Sequence, residues 1–377
     1  MAIEIKQHEP GRDLKDFIQV AFHVYADDPV WVPPLDMDIK ARLTPKKNPF
    51  FEHAEVALFT AWKDGRAVGR ISAQVDHEHL RIHEDGAGFF GFFDTINDQE
   101  VATALVETAA KWLADRGMSL MRGPCSLSIN DEAGLMIEGF DKPSVIMSSH
   151  HRDYQGELAE GAGLQKVKDC YSWWYDVSRP SPRAQRAWEL ITALPEVRFR
   201  TVNRRKLKTE VYDLLDVYND AFQHNWGFVP ATDAEAKKLA ADLGPIADDV
   251  SFFADIDGRP VGICIALPNV NEVIRDFNGK LGPIKLVKLL WRLKVRGTKS
   301  GRLILLGIRP ELRRKRRYAP LAMAICAELM RRGHENGYEW AELGWTLEDN
   351  HAINATIRSV GGRIYKRYRL YEKAIGA

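Results

Sequence analysis

The sequence predicts an α/β protein with mixed sheets, made of two tandem domains of one design. A chain of 377 residues is long enough for two cores at roughly 150 residues each. The stretch Lys63-Asp64-Gly65-Arg66-Ala67-Val68-Gly69 returns as Ile256-Asp257-Gly258-Arg259-Pro260-Val261-Gly262, at an offset of 193. Two further features recur in the same order. One is an amphipathic helix ending at a glycine before a strand (102–116 with Gly117, 320–336 with Gly337). The other is a late glycine followed by an aromatic strand (158–177 and 353–373). Three ordered matches imply a duplication: an N-terminal domain at 1–178, a linker at 179–195, and a C-terminal domain at 196–377 carrying an insertion at 269–301.

In the first domain, Leu14, Phe17, Ile18, Ala21, Phe22 and Tyr25 recur at helical spacing. Three prolines around Trp31 break that helix. The runs 55–63 and 67–76 flank the Asp-Gly turn and read as a hairpin. A strand at 88–94, a helix at 98–116 with Ala102, Leu105, Ala109 and Leu113 in register, and a strand at 119–122 follow. The second domain reads as a strand (197–202), helices at 210–222 and 234–243, a hairpin (250–255 and 260–267) and a strand at 303–308. A helix at 320–336, a strand at 340–345, a helix at 350–361 and two short strands close the chain.

Between the strand at 303–308 and the helix after Pro320 lies a loop with Arg309, Arg313, Arg314, Lys315, Arg316 and Arg317. Strand, basic loop and helix start outline an anion site, because unpaired amides and the helix dipole point into the loop. A solvated charged loop is the competing reading.

This order of strand, loop, helix and strand resembles the core of the Gcn5-related N-acetyltransferase (GNAT) superfamily. The resemblance implies an acyl-CoA co-substrate, acetyl-CoA or another, and transfer of its acyl group to a small-molecule or peptide amine. The family's loop reads Arg/Gln-x-x-Gly-x-Gly/Ala and holds the CoA pyrophosphate. Arg313 fits its first position, while Arg316 and Tyr318 stand where the glycines belong. Guanidinium groups are therefore expected to replace backbone amides as phosphate ligands. The cofactor residues implied are Leu306, Gly307, Ile308, Arg313, Arg314, Lys315, Arg316, Arg317, Tyr318, Ala319 and Asn350. Asn350 opens a stretch similar to the family's Asn-x-x-apolar-x-x-x-Tyr-x-x-x-Gly, with Ile353 and Gly361 matching and Ile357 in the tyrosine's place. With that general acid missing, Tyr365, Tyr368 and Tyr371 are the available substitutes, of which Tyr371 is taken, with Glu342 as general base. Each has a structural alternative, a packed aromatic and a strand-edge ion pair. His224, Asn225, Trp226 and Phe228 fall where the family shapes its acceptor pocket. In the first domain, Asn97 and Glu100 are expected to form a capping box. Asp94, Asp98 and Glu100 would repel a pyrophosphate there, so that domain is expected to be non-catalytic.

Lys plus Arg at 53 against Asp plus Glu at 52 argues against nucleic acid as a specific partner. The four cysteines are scattered, and the histidine groups 77/79/83 and 150/151 lack metal-ligand spacing, so no metal is expected. With no signal pattern and no long apolar run, a cytoplasmic location is expected. Within the insertion, residues 283–296 form a basic, aromatic, amphipathic segment. It suits peripheral membrane contact, or cover for a core or partner. Three functions remain in competition: an acyltransferase with its chemistry in the C-terminal domain, a non-catalytic ligand-binding or regulatory module on the same fold, and a lipid- or nucleic-acid-associated protein that uses the arginine loop and the basic helix.

Overall fold

A computed structural model describes residues 2–376 except Pro180, Pro245, Ala247 and Asp248. Pro180 belongs to the expected linker and lies outside the described residues. The chain forms two compact units, which interleave in sequence. One comprises Met1–Cys170, Arg275–Pro283 and Lys366–Ala377, the other Tyr171–Ile274 and Ile284–Tyr365.

In the first unit, strands Glu4–His8, Ala54–Lys63, Arg66–Asp76 and Ala87–Thr95 pair antiparallel in chain order. Ala87–Thr95 then pairs parallel with Leu120–Gly123. The next position is taken by the end of the chain: Arg363–Ala374 runs antiparallel to Leu120–Gly123, with Tyr371 opposite Gly123. Helix Gln99–Ala114 buries Val101, Ala102, Leu105, Val106, Ala109 and Leu113 against the sheet. Its first turn is capped by Asp98, whose side chain accepts from the amides of Glu100 and Val101. Asn97 is therefore not the cap that the sequence suggested, because Asp98 is the residue already in extended conformation before the first turn.

The second unit orders its strands Val197–Thr201, Phe252–Ile256, Arg259–Pro268 and Ser300–Ile308 antiparallel, then Trp340–Leu347 parallel to Ser300–Ile308. The later part of strand Gln165–Asp176 lies beyond Trp340–Leu347. Helix Pro182–Thr192, expected as a linker, contributes Ala184, Ala187 and Ile191 to the same core as Leu321, Ile325 and Leu329 of helix Leu321–Glu335. Trp188 Nε1 donates to Glu328 at 2.8 Å across these helices. The two short terminal strands are instead one continuous strand, Arg363–Ala374.

The duplication is visible in backbone detail. Asp64 and Gly65 take positive φ in the first hairpin, as Asp257 and Gly258 do in the second. Pairing slips between Ala61 and Trp62, and again between Ala254 and Asp255, at the offset of 193 found in the sequence. No helix among the described residues is long and apolar enough to cross a membrane.

Candidate functional site

In the second unit, strands Ser300–Ile308 and Trp340–Leu347 share four rungs, from Ser300↔Trp340 to Leu303↔Leu343, and then part. Immediately past the last rung, residues 304–306 on one strand and 344–346 on the other are all half-buried, although their sheet neighbours are buried. Ile304 is also the extra residue of a bulge, since Ile265 faces Leu305 while Ala266 faces Leu303. A bulge at such a point bends the strand away from its neighbour and ends their pairing. Arg309 N donates to Val261 O at 2.9 Å, toward the antiparallel partner. Strand alternation then turns the amides of Leu306 and Ile308 to the opposite edge, where pairing has stopped.

The basic loop closes the end of this gap. Arg313 Nε donates to Ile308 O at 3.1 Å and its Nη2 to Ala221 O at 2.7 Å. Arg309 is held by Asp216 and by Asp220, the latter at 3.1 Å. Burial lowers its pKa and these carboxylates more than restore it, so Arg309 is a structural cation. Arg317 pairs with Glu196 at 2.6 Å. Arg314, Lys315 and Arg316 are exposed. The loop's amides mostly turn inward: Leu312 N bonds Arg309 O, Lys315 N bonds Leu312 O, and Tyr318 N bonds Lys315 O. Ala319 N likewise bonds Arg316 O. Helix Leu321–Glu335 begins at Pro320 with no side-chain cap and no acidic residue in its first turn.

Gly307 is where helix Leu207–Phe222 meets the strand. A Cβ there would stand 2.9 Å from Phe222 Cε2 and 3.0 Å from Ala221 Cβ. Its role is close packing rather than phosphate approach. The same helix leads into the turn with exposed His224, half-buried Asn225 and Trp226, and buried Phe228, which packs on Tyr218 at 5.4 Å between ring centroids. Strand end, basic loop and this turn are thus neighbours.

The two expected catalytic residues belong to different units. Glu342 is fully buried at a paired rung, with Arg302 Nε 3.0 Å from its carboxylate and the Tyr365 hydroxyl donating to the other oxygen. Tyr371 lies in the core of the first unit, its hydroxyl 3.2 Å from Glu160, and burial pushes its pKa up. Asn350 starts helix His351–Ser359 without capping it by its side chain. The bracing residue missed from the sequence is Asn354, which accepts from Thr346 Oγ1 at 2.7 Å and donates to Leu347 O at 2.9 Å. It fixes the far wall of the gap just past the split.

The first unit closes the matching gap with its own chain. After Phe89↔Arg122 its parallel strands part. There the carbonyl of Cys125 lies so close that a Cβ on Gly91 would be 2.1 Å from it. Asp98, capping the helix, is neutralised by Lys63 at 2.6 Å. Where the second unit has Ile263 opposite Gly307, the first has Arg70 opposite Asp94, joined at 2.7 Å. Tyr25 also donates to Asp94, and burial raises its pKa. His150 bridges Asp28 at 2.8 Å and Ser144 at 3.1 Å, and His151 accepts from Met136 N at 3.1 Å. Both are hydrogen-bonding residues, His151 buried and His150 half-buried. No group of metal-ligating side chains occurs among the described residues.

No protein-family model matches the chain. The tandem GNAT protein from the clavulanic acid biosynthesis pathway matches all of the chain and 99% of its own, with a TM-score of 0.60 at 13% identity. A GCN5-related N-acetyltransferase from Sphaerobacter thermophilus matches 98% of the chain and 95% of its own, with a TM-score of 0.52 at 14% identity. Among curated proteins, the bacterial ceramide synthase of Caulobacter vibrioides is 40% identical over 96% of this chain and 95% of its own length. Protein YghO of Escherichia coli is 37% identical over 96% of this chain and 93% of its own. With its duplicated sheet and parted strands, the chain is a tandem GNAT-fold protein and belongs to the family that includes that ceramide synthase and YghO.

Proposed function

We propose that the protein is an N-acyltransferase that moves a fatty acyl group from acyl-CoA to the amine of a long-chain amino alcohol, with the chemistry in the second unit. The observation that carries the site is the parting of strands 300–308 and 340–347 beside a helix start without a cap. The Caulobacter relative suggests the acceptor class, since a ceramide is the amide of a fatty acid and a long-chain amino alcohol.

The outward amides of Leu306 and Ile308 are the donors available to a thioester carbonyl, and preorganised donors aimed at a developing oxyanion are a large source of rate. Arg314, Lys315 and Arg316 take the CoA phosphates through their side chains, because the amides of this loop are largely spent on its own turns. The amine reaches the thioester as the free base, having given its ammonium proton to water in the half-exposed gap. Its nitrogen forms the bond to carbon and the C–S bond breaks. The nitrogen's second proton passes to the departing thiolate, leaving amide and CoA. Glu342 serves in this scheme as the carboxylate that fixes the foot of the gap.

The test combines binding and turnover on the full chain. Calorimetry with a long-chain acyl-CoA is expected to show binding that the Arg314→Glu/Arg316→Glu protein loses by at least about tenfold, since a charge-assisted hydrogen bond contributes roughly 1.5–3 kcal/mol. Mass spectrometry with sphinganine as acceptor is expected to show the amide. Binding without amide formation would remove the acceptor class. Absence of binding at millimolar acyl-CoA would leave a ligand-binding or regulatory relative of the fold.

A further inference from the structure

Helix Pro283–Trp291 and the π-helical turn Arg292–Arg296 that continues it have the reverse of the usual amphipathic arrangement. Ile284, Val287, Trp291 and Val295 recur at i, i+3, i+7 and i+11, with Leu290 beside them, which places them on one face. That face points outward: Ile284 is 85% exposed, Val287 68%, Trp291 55% and Val295 70%. The opposite side is the half-buried one, and there Arg292 donates to Val273 O. Glu272 holds the far end of the segment, accepting from Lys299 N at 2.8 Å and from the Ser300 hydroxyl. The helix is therefore rooted in its unit while its most apolar surface faces solvent.

Charge says what the face suits. Seven Lys or Arg residues lie within 280–299, and no acidic residue occurs between Asp276 and Glu311. Pairing with a second copy would set one basic face against another. An acidic, hydrocarbon-backed surface matches both features, with aliphatic side chains and Trp291 entering the headgroup boundary while lysines meet anionic headgroups. A helical stretch of about 14 residues reaches only about 20 Å, so it lies on a bilayer without crossing one.

We propose that the outward face of residues 284–296 docks the protein on an anionic lipid bilayer. This inference stands on the helix and holds whatever the acyl acceptor proves to be. Full-length protein is sedimented with vesicles of phosphatidylcholine alone and of phosphatidylcholine mixed with phosphatidylglycerol. The expected result is binding to the anionic vesicles, weakened at least about tenfold in both Val287→Ser/Trp291→Ser and Lys288→Glu/Lys294→Glu, with unchanged thermal unfolding. The Arg314→Glu/Arg316→Glu protein is expected to keep its vesicle binding, which separates docking from acyl-CoA binding. The proposal is overturned if wild type ignores anionic vesicles, if the helix variants bind as wild type does, or if only the loop variant loses binding. It is also overturned if light scattering shows a dimer that Val287→Ser/Trp291→Ser converts to monomer, since the face would then join two copies.

Discussion

His151 is held neutral by its surroundings. Burial lowers its pKa from 6.5 to about 4, and its Nδ1 already accepts a hydrogen bond from Met136 N, so a proton has no room there. The unfolded chain takes up that proton as pH falls below 6.5, while the folded chain does so only near 4. The stability tied to His151 is thus complete above 6.5 and drains away between 6.5 and 4, on the order of 3 kcal/mol. His150 shifts in the same direction, again through burial. Denaturant unfolding as a function of pH is expected to show this slope, and His151→Gln to flatten it. An equal slope in both proteins would refute the assignment. Arg302 and Glu342 make a second residue-scale case. Glu342→Leu alone leaves Arg302 buried without its carboxylate and is expected to destabilise by about 3–5 kcal/mol, whereas Arg302→Met with Glu342→Leu recovers most of it. If the double variant is as unstable as the single, Glu342 is not a brace. The sequence showed Glu342 on a strand beside the core helix, but a carboxylate on a strand reads alike whether it faces substrate or a buried arginine. Only the register opposite Arg302 decides it. Tyr371 was illegible for a similar reason, since periodicity places an aromatic on a strand without saying which sheet the strand joins.

At the scale of elements, the two equivalent helices begin differently. Gln99–Ala114 has Asp98 as its cap, with a pKa lowered chiefly by the hydrogen bond from Lys63, while Leu321–Glu335 begins uncapped after Pro320. Asp98→Ala is expected to cost about 1 kcal/mol in stability without altering acyl-CoA binding, measured by urea unfolding and calorimetry. A loss of acyl-CoA affinity would move the ligand to the first unit. The hairpins were the most legible elements, because Asp-Gly forces positive φ at two consecutive residues and alternating apolar runs flank it. The parting of strands 300–308 and 340–347 was not legible, since a bulge at Ile304 leaves no mark in an apolar run such as Leu303–Leu306. The loop was legible in charge and obscure in conformation. Its arginines announced an anion, but three of its cations (Arg309, Arg313 and Arg317) are engaged in holding the loop, which spacing alone does not reveal.

For the whole molecule, the unit boundaries matter more than the repeat boundaries. A fragment of residues 196–377 keeps the repeat but omits Trp173, Tyr175, Ala184, Ala187 and Ile191, all buried in the core of the second unit. It also carries Leu370 and Tyr371 on a strand segment, and Ile375 just past it, that belong to the first unit. That fragment is expected to aggregate or to unfold without cooperativity, measured by size-exclusion chromatography and thermal melting. A monomer with a sharp transition would show that the repeat is the folding unit. The duplication was readable because a seven-residue hairpin survived in both copies. The interleaving was not, because a strand's own residues do not name its neighbour.

The place of the last strand has a consequence for how the protein is made. Leu120–Gly123 leaves the ribosome early, yet its antiparallel neighbour, Arg363–Ala374, is translated much later. At about 5–20 residues per second, the nascent first unit waits on the order of 10–40 s with that edge unfilled. An open edge held so long is a template for wrong pairing. Dependence on chaperone shelter is therefore expected to grow with translation time, and a chain stalled or cleaved before Arg363 is left with its earlier-made unit still incomplete.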